Sequence, residues 1–367
     1  MSENPHKLIS NFFKIITENT PLIDVRAPIE FDEGSFENTV NLPLMNTEER
    51  HNVGICYKEK GKEAALALGY SLVSSSVKSE RVSKWVEFIE NNPTTVIFCF
   101  RGGLRSKIAQ EWIYEATGKW IPRIEGGYKT FRQFMLESLD SNVQTIPLYI
   151  LGGNTGSGKT ILLNKLENSI DLEGLAHHRG SSFGNFLEPQ PTQINFENML
   201  AAEIIKKKAA GARYLIMEDE GKHIGRTYMP KAFLEYFSNG KLVILEAPLK
   251  ERIEITYQEY VLLSQKHYAK ELGESEGLKA WEEYILTSFK KIKNRLGGER
   301  YQEIVALFNT TSNVQSFGSN IENHKLWIEI LLSEYYDKMY AHQIINTTKK
   351  IIFKGNENEV FNFFNSL

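Results

Sequence analysis

Short apolar runs alternate with longer amphipathic stretches along the first 140 residues. The runs at 21–25 (PLIDV) and 94–100 (TTVIFCF) are short, apolar and rich in β-forming residues, which is typical of buried strands. Between and after them, apolar residues three and four apart predict helices, and the stretch at 105–118 ends on Gly118, a common helix stop. Strands that alternate with helices predict a parallel sheet covered on both faces.

A second alternating series begins near residue 145. A predicted strand at 146–153 enters a glycine loop, a helix is predicted over 160–169, and another strand over 213–219. The rest of the chain, from about residue 250, is almost wholly helical and rich in aromatic residues, up to a short tail. The pattern predicts an α/β fold class with three regions: an α/β domain at 1–140, a second α/β domain at 141–250, and a helical C-terminal region at 251–367 that packs on the second.

The composition fits a soluble globular protein, because 41% of the 367 residues are hydrophobic and 24% are charged. No run of about 18 apolar residues occurs, so we expect no membrane span, and the first residues lack the apolar core of a secretion signal. The two cysteines, Cys56 and Cys99, cannot build a disulfide framework and fit a reducing compartment. We therefore expect a cytoplasmic protein.

The net charge of −3 argues against a generally basic nucleic-acid-binding protein. Neither the first 140 residues nor the remainder is basic overall, so any contact with RNA would use local patches. The run Lys206, Lys207 and Lys208 is one such patch, although a lysine run is more often the solvated face of a helix.

Residues 153–160, GNTGSGKT, match the pattern G-x-x-x-x-G-K-[ST] between a predicted strand and a predicted helix. Glycines let the backbone curl so that consecutive N–H groups face one anion, and the N-terminus of the helix adds positive potential. Lys159 would reach the terminal phosphates, and Thr160 would offer its hydroxyl to Mg²⁺. The pattern does not name the phosphate compound, and its predicted phosphate-binding residues are Gly153, Gly156, Ser157, Gly158, Lys159 and Thr160.

Acidic side chains follow two elements of this second series. Glu218 and Asp219 end a strand, where a ligand of a metal-bound water would lie, although a solvated strand end explains them equally well. Asp171 and Glu173 come after the first helix and are expected to face the same crevice, because ligands of open α/β sheets bind beyond the carboxyl ends of the strands. We expect a possible magnesium site at Thr160 and Asp219. Paired cysteines and spaced histidines are missing from the sequence, so we expect no structural metal.

Cys99 stands at a junction between a predicted strand and a predicted helix, in the loop CFRGGLR. A thiolate there would face the N-terminus of the helix, and Arg101 and Arg105 are close in sequence; both effects lower the pKa of a thiol. The two glycines allow the N–H groups of the loop to converge on one anion. We therefore predict Cys99, Arg101 and Arg105 as catalytic residues, the alternative being a buried structural cysteine. Cys56 lacks neighbouring glycines, so a structural role is favoured over a resolving thiol.

The segment LIDVRAPIEFDEG, followed about 75 residues later by the cysteine loop, resembles the rhodanese domain, whose cysteine carries a persulfide. The resemblance implies a rhodanese-like domain at 1–140. The spacing from Cys99 to Arg105, C-x5-R, is one residue longer than in the usual rhodanese loop and equals that of phosphatases built on the same fold. Because a longer loop can surround a larger tetrahedral anion, a phosphatase is an alternative for this half. It is weakened by Phe98, where a histidine would precede the cysteine.

Over nearly its whole length, from about residue 8 to 340, the chain resembles the tRNA 2-selenouridine synthase family. The segment at 171–184, DLEGLAHHRGSSFG, is the most diagnostic. Lys222, where the family more usually has an arginine, and Lys338, where it has a proline, depart from the pattern. The other segments that carry the resemblance are CFRGGLRS, EGGYKTFR, GGNTGSGKT, QPTQINFEN and YYDKMY.

The resemblance implies an enzyme that acts on 2-thiouridine at the wobble position of certain tRNAs. The family is associated with S-geranylation from geranyl diphosphate and then replacement of the geranylthio group by selenium from selenophosphate. A P-loop domain would hold the diphosphate with Mg²⁺, and the aromatic C-terminal third would supply an apolar pocket for the prenyl chain. We hypothesise that the Cys99 loop receives selenophosphate, with Arg101 and Arg105 on its oxygens and Cys99 either carrying selenium or acting as a nucleophile. Arg179 would contact a substrate phosphate or the tRNA.

Two other classes stay open. A P-loop small-molecule kinase with an accessory rhodanese-like domain would transfer or hydrolyse nucleotides without any need for Cys99. A tRNA-binding or sulfur-relay protein, whose P-loop is only a nucleotide sensor, would bind tRNA without modifying a base.

Overall fold

The computed structural model describes residues 7–184, 187–312 and 323–367. The chain folds into two units, each with its own five-stranded sheet. The first unit comprises residues 1–144 and 191–211, and the second comprises 145–190 and 212–367. Both units are therefore discontinuous in the sequence. The predicted division into 1–140, 141–250 and 251–367 stays a prediction.

The first unit has short strands and longer helices. Its elements up to residue 144 are β1 (Leu8–Ile9), α1 (Phe12–Thr17), β2 (Leu22–Asp24), α2 (Pro28–Glu33), β3 (Thr39–Asn41), α3 (Thr47–Leu72), α4 (Ser75–Asn91), β4 (Val96–Phe98), α5 (Leu104–Thr117), β5 (Arg123–Ile124), α6 (Gly127–Ser138) and a 3₁₀ turn at Ser141–Val143.

All strand pairs of this sheet are parallel, in the order β1-β5-β4-β2-β3, as the alternation of strands and helices predicts. Every residue of β2 and β4 is buried, which confirms the two predicted strands. The predicted helix at 105–118 is also confirmed: α5 ends at Gly118, which takes the left-handed conformation (φ 70°). Because β4 lies inside a parallel sheet, the residue after it, Cys99, emerges at the carboxyl edge of the sheet.

Beyond residue 145, strands and helices alternate again and then give way to helices. The elements are β6 (Leu148–Gly152), α7 (Lys159–Leu163), β7 (Ser169–Ile170), α8 (Leu172–Ala176), α9 (Gln193–Ala209), β8 (Leu215–Glu218), β9 (His223–Ile224), β10 (Thr227–Tyr228), a 3₁₀ turn (Lys231–Phe233), α10 (Leu234–Ser238), β11 (Lys241–Leu245), α11 (Leu249–Tyr257), a π-helical stretch (Gln258–Leu263), α12 (Ser264–Leu272), α13 (Glu274–Leu296), α14 (Gly298–Ser312), α15 (His324–Ile330), a second π-helical stretch (Leu331–Tyr336), α16 (Asp337–Ile345), β12 (Ile351–Gly355) and α17 (Glu357–Asn365).

Helix α9 packs on α1 and α6 and so belongs to the first unit. Asn198 of α9 is 1% exposed; its amide donates to the Ser35 carbonyl (2.7 Å), and its oxygen accepts from Arg132 (2.6 Å). Lys206, from the predicted basic patch, pairs with Glu37 (2.6 Å). Buried polar groups that satisfy one another fix the position of the helix on this unit.

The second sheet is also parallel throughout, in the order β12-β11-β6-β8-β7. The predicted strands at 146–153 and 213–219 are confirmed as β6 and β8. The predicted helix at 160–169 is wrong beyond Leu163, because the Ser169 hydroxyl donates to the carbonyls of Leu163 and Leu166 (2.7 Å each) and the chain turns there into β7. The tail, for which the pattern predicts no element, forms the edge strand β12 and α17.

The helices after β11 pack around a core of buried aromatic side chains. Trp281, Phe289, Phe308 and Trp327 are each at most 2% exposed, and the Phe289 and Trp327 rings lie edge to face at 5.4 Å. These rings fill the interior of the helical region, which confirms the predicted helical C-terminal part of the fold class. In the described part of the chain, every helix is too short or too polar to cross a bilayer.

Candidate functional site

Cys99 lies at the carboxyl end of β4, directly before the loop that leads into α5. Its side chain is 3% exposed, and its thiol donates a hydrogen bond to the Ser106 hydroxyl oxygen (3.3 Å). The Ser106 hydroxyl donates to the carbonyl of Gly103 (3.2 Å). At this distance the hydroxyl can donate to the sulfur once the thiol is ionised. Ser106 is therefore placed to stabilise a thiolate.

The loop after Cys99 presents a row of backbone donors. Gly102 has a φ of 62°, in the left-handed region that favours glycine, and α5 begins at Leu104. In the part of the chain that the structure describes, the N–H groups of residues 100–105 donate to no protein acceptor. Unpaired N–H groups at the start of a helix form an anion-binding site.

N–H groups of helix α6 hold this loop by donating to carbonyl groups of the loop. The Tyr128 N–H donates to the Cys99 carbonyl and the Lys129 N–H donates to the Phe100 carbonyl, both at 2.9 Å. A side chain on Gly127 would collide with the Cys99 carbonyl, which explains a glycine at this position of EGGYKTFR. Because α6 takes up the carbonyls, the N–H groups of the loop stay available to an anion.

The two predicted arginines differ in their surroundings. Arg105 donates to both carboxylate oxygens of Glu30 (2.5 and 3.0 Å). Burial lowers the pKa of Arg105, but the hydrogen bonds and charge of Glu30 outweigh burial and raise it. Arg101 is exposed, makes no ion pair within the described residues, and lies 5.9 Å from the Phe100 ring. Arg101 is thus free to meet an anion, whereas Arg105 is positioned by Glu30.

Three residues at this loop were not predicted from the sequence: Glu30, Ser106 and Arg123. Arg123 of β5 donates to the Gly102 carbonyl (3.1 Å) and to the Gln110 side-chain oxygen (2.9 Å), and burial lowers the pKa of Arg123. Ser106 is the last residue of the segment CFRGGLRS, and Glu30 lies in LIDVRAPIEFDEG. No spacing rule, however, connects either of them with the cysteine.

The second anion loop lies in the other unit, between β6 and α7. The glycines at 153, 156 and 158 all have positive φ values. A side chain on Gly156 would approach the Arg252 carbonyl of α11 to 2.8 Å, so this position needs glycine for space as well as for conformation. The Lys159 ammonium donates to the Gly153 carbonyl (2.8 Å) and so lies across the loop.

An ion pair from the C-terminal helices fixes the phosphate loop. The Arg252 guanidinium donates twice to Asp337 (3.0 and 2.6 Å) and once to the Thr155 carbonyl (2.9 Å). The Asn154 amide donates to the same carboxylate (2.6 Å). Arg252 is 4% exposed, so its charge depends on this partner. These four residues form what we call the loop clamp. Asp337 lies in the segment YYDKMY, and its sequence context predicts no role for it.

A cavity of about 510 Å³ opens over the phosphate loop. It brings together the loop and four predicted residues: Asp171, Glu173, Arg179 and Asp219. Asp219 accepts a hydrogen bond from Lys349 (3.0 Å), and Asp171 caps α8 by accepting from the Gly174 N–H (2.7 Å). The remaining predicted acid, Glu218, is 1% exposed and accepts from the Leu172 N–H (2.7 Å), so it braces the start of α8.

Two carboxyl groups of this cavity, Glu173 and Glu220, influence each other. Burial and the charge of Glu220 raise the pKa of Glu173 to about 8, and Lys159 opposes this shift. Burial also raises the pKa of Glu220. Near neutral pH Glu173 is therefore protonated. The cavity is then less negative than its composition indicates and can accept an anion beside Lys159.

One wall of the same cavity is aromatic. Tyr260, Tyr336 and Tyr340 line it, and the Arg179 guanidinium lies 4.8 Å from the centre of the Tyr260 ring. A separate space among the packed helices, next to Trp327, measures about 20 Å³, which is too small for a prenyl chain. Of these two spaces, the cavity with the tyrosine wall is the one large enough to offer apolar surface to a ligand.

The chemistry of the cavity suits Mg²⁺, which prefers a few protein oxygens and keeps several waters. Thr160 and Asp219 both line the cavity, and the buried Ser157 hydroxyl has no hydrogen-bond partner among the described residues. Such a donor set fits an ion shared with substrate phosphates. Across the described ranges no group of three or more His, Cys, Asp or Glu side chains could hold a metal alone.

Comparisons with known proteins give the family. A family model described as "tRNA 2-selenouridine synthase AAA domain" matches residues 146–367. The tRNA 2-selenouridine synthase of a Sulfurovum species is 50% identical over 98% of this chain and 98% of its own length. The chain belongs to the tRNA 2-selenouridine synthase family. The synthases of Hydrogenovibrio crunogenus and Shewanella halifaxensis are 47% and 46% identical, over 96% and 94% of this chain and 97% and 94% of their own lengths.

The two anion loops relate differently to these matches. The phosphate loop and its cavity lie inside the matched AAA domain of the family, whereas the Cys99 loop precedes it. The alignment with the Sulfurovum synthase covers 360 residues and so includes both loops. One solved structure, the N-terminal domain of a Clostridium difficile 630 protein described as ATP/GTP binding, is 28% identical and covers 35% of this chain and 99% of its own. Its TM-score of 0.31 is too low to support a conclusion.

Removal of the Asp337 carboxylate should weaken anion binding at the phosphate loop. In Asp337→Ala, Arg252 loses its ionic partner and Asn154 its acceptor, so the loop is less ordered before the anion arrives. We expect the affinity for inorganic diphosphate with Mg²⁺, measured by isothermal titration calorimetry, to fall about tenfold, or roughly 1.4 kcal/mol. Lys338→Ala is the matched control, because Lys338 is exposed and pairs with Glu334. Equal affinities of the two variants would contradict a role of the clamp in shaping the loop.

Diphosphate binding should weaken as the pH rises through about 8, because Glu173 then loses its proton and repels the ligand. Glu173→Gln removes this charge. Between pH 6.5 and 9 we expect wild-type affinity to fall roughly tenfold more than that of the variant, which corresponds to one nearby repelling charge. Both proteins bind the same ligand, so the comparison of wild type with variant removes the effect of the ligand's own ionisation. Glu188→Gln, at an exposed position outside the cavity, should behave as the wild type. Parallel pH profiles for all three proteins would refute the assignment.

The raised pKa of Glu173 also affects the free energy of unfolding. The Glu173 carboxyl has an ordinary pKa of 4.5 in the unfolded chain and about 8 in the folded protein. The folded state therefore binds more protons between these values, and the free energy of unfolding must fall as the pH rises across this window. Urea denaturation of wild type and Glu173→Gln at pH 5, 7 and 9 should show a flatter dependence for the variant.

Proposed function

We propose that this protein replaces the sulfur of wobble 2-thiouridine in tRNA by selenium, through an S-geranylated intermediate. The observation that carries the proposal is the 50% identity with a tRNA 2-selenouridine synthase over 98% of both chains. Two anion loops in separate units support it, since the reaction uses two phosphorus compounds, geranyl diphosphate and selenophosphate. We place the reaction in the cytoplasm, because both cysteines are free thiols.

We assign geranylation to the phosphate loop. The N–H groups of the loop and Lys159 hold the diphosphate, while the prenyl chain lies along the wall of Tyr260 and Tyr336. The thiocarbonyl sulfur of the base attacks C1 of the geranyl group, the C–O bond to diphosphate breaks, and the N3 proton of the base passes to solvent. Mg²⁺ held by Thr160 and Asp219 would neutralise the charge of the leaving diphosphate.

We assign the selenium step to the Cys99 loop. The N–H groups of residues 100–105 and Arg101 hold the oxygens of selenophosphate, and the Cys99 thiolate attacks phosphorus. An S–P bond forms, the Se–P bond breaks, and hydrogen selenide leaves. Selenide then adds at C2 of the base, geranylthiolate departs, and N3 regains a proton. Water hydrolyses the S–P bond to restore the thiol and release phosphate.

This route decides between the two roles open to Cys99. Selenium in selenophosphate is already fully reduced, so an S–Se bond on Cys99 would need an oxidant. Attack on phosphorus needs none, because no atom changes its oxidation state. It also agrees with the C-x5-R spacing, which suits a tetrahedral phosphorus centre.

Mass spectrometry of tRNA nucleosides tests the function. We expect the purified protein, given 2-thiouridine tRNA, geranyl diphosphate, Mg²⁺ and selenophosphate, to form the geranylthio nucleoside and then selenouridine. Cys99→Ala should stop at the geranylthio stage. Lys159→Ala should slow geranylation at least about a hundredfold, since it removes a charge that stabilises the leaving group, yet still convert tRNA that is already geranylated. Cys56→Ala is the control for loss of a thiol.

Each result has a clear meaning. Unchanged 2-thiouridine with the wild-type protein would reject the synthase function and favour a kinase or phosphatase. If Cys99→Ala lost geranylation and kept the selenium step, the assignment of steps to loops would be reversed.

A further inference from the structure

A cavity of about 650 Å³ lies in the first unit, beside the Cys99 loop. Helix α3 bends at Gly61, whose φ of 82° interrupts it, and both arms of α3 line the cavity. Val53 stands on the first arm and Leu66 on the second, while Ile108 and Trp112 of α5 form the opposite wall. The volume falls within the range of small-molecule sites, roughly 300–1,000 Å³.

Four large apolar side chains around this cavity are exposed: Ile55, Tyr57, Tyr70 and Leu104. Their exposed fractions lie between 42% and 59%. Single exposed apolar residues are common on protein surfaces, but a cluster that surrounds one cavity is typical of a binding site. The site therefore suits an apolar ligand.

The cavity and the Cys99 loop share Leu104 and Arg105, the first two residues of α5. Their N–H groups belong to the unpaired donors that face an anion. Arg105 bonds to Glu30, and Arg50, which also lines the cavity, lies 3.5 Å from the same carboxylate. The end of the cavity at Arg50 and Arg105 is thus charged and adjoins the thiol loop, and the rest of the lining is mostly apolar, with His51 and Lys58 as its other basic residues. A matching ligand has an apolar chain and a polar group that lies beside the Cys99 loop while it reacts.

We infer that this cavity binds the geranyl chain of the S-geranylated base while selenium replaces sulfur at C2 of that base, beside the Cys99 loop. The inference rests on the proposed function and adds a second chain site to it. The tyrosine wall of the phosphate-loop cavity serves the chain while it is attached to diphosphate. The cavity beside α3 serves it once it is attached to the base, and retains it as geranylthiolate leaves. Burial of the apolar chain in the cavity orients the base, and the chain needs no charged contact for this.

The length of the alkyl chain on the sulfur of the base is the variable that tests this role. We expect the wild-type protein to convert S-geranyl-2-thiouridine tRNA to selenouridine at least ten times more efficiently, in kcat/KM, than S-methyl-2-thiouridine tRNA. Leu66→Trp narrows the cavity and should reduce this preference to about threefold or less, with the S-methyl substrate within twofold of wild type. Leu66→Met, which conserves volume, should keep the preference.

A surface variant tests whether misfolding, and not a narrower cavity, causes the effect of Leu66→Trp. Tyr70→Glu puts a charge at a half-exposed position of the rim, and it should also reduce turnover of the geranyl substrate alone. Equal use of the two substrates by the wild type, or parallel loss of both in Leu66→Trp and Tyr70→Glu, would overturn the inference.

A binding measurement separates this inference from the proposed function. With geraniol as the probe, hydrogen–deuterium exchange should slow in residues 47–72 and 104–117 of the wild type and not in Leu66→Trp. Protection there without any selenouridine would retain the cavity as a prenyl site and reject the proposed reaction. Selenouridine formation without protection and without chain-length preference would retain the reaction and reject the cavity.

Discussion

A backbone loop holds an anion well only if its N–H groups are fixed beforehand, and an arginine–carboxylate pair lies at each anion loop of this protein. Arg252 binds Asp337 and the Thr155 carbonyl with one guanidinium, and Arg105 binds both oxygens of Glu30. The planar guanidinium suits such simultaneous contacts, which a lysine could not make. The Arg252–Asp337 pair thus stabilises the backbone of the phosphate loop, whereas Arg123 and the N–H groups of α6 hold the backbone of the Cys99 loop.

The two loops meet opposite electrostatic surroundings. At the cysteine loop Glu30 neutralises Arg105, so Arg101 supplies the free charge. The phosphate-loop cavity is acidic in composition, but burial and mutual repulsion keep Glu173 protonated near neutral pH, with its pKa at about 8. Lys159 then faces less negative charge. An acidic cavity can therefore bind a diphosphate and still offer carboxylates to Mg²⁺.

Both loops could be predicted from the sequence because their requirements are local. In each loop a strand, a glycine turn and a helix follow one another, so a short run of consecutive residues predicts all three. The partners of the loops could not be predicted, since Arg252 and Asp337 stand 85 residues apart and Glu30 and Arg105 stand 75 apart. The place of α9 in the first unit likewise depends on tertiary contacts with α1 and α6. The short α7 has a local cause, because the Ser169 hydroxyl binds the carbonyls of Leu163 and Leu166 where periodicity predicts more helix.

The bend of α3 is the feature that a purely structural account explains least well. Ile55, Tyr57 and Tyr70 of this helix are exposed, although burial of apolar surface would stabilise the fold. Gly61, with a φ of 82°, interrupts the helix where a cavity opens beside α5. This fold leaves apolar surface exposed to water next to a thiol and a row of free N–H groups, at the point where we propose that a prenylated base is oriented. Lower local stability at a ligand site is a common feature of enzymes, and here it agrees with a proposed reaction that expels an apolar chain.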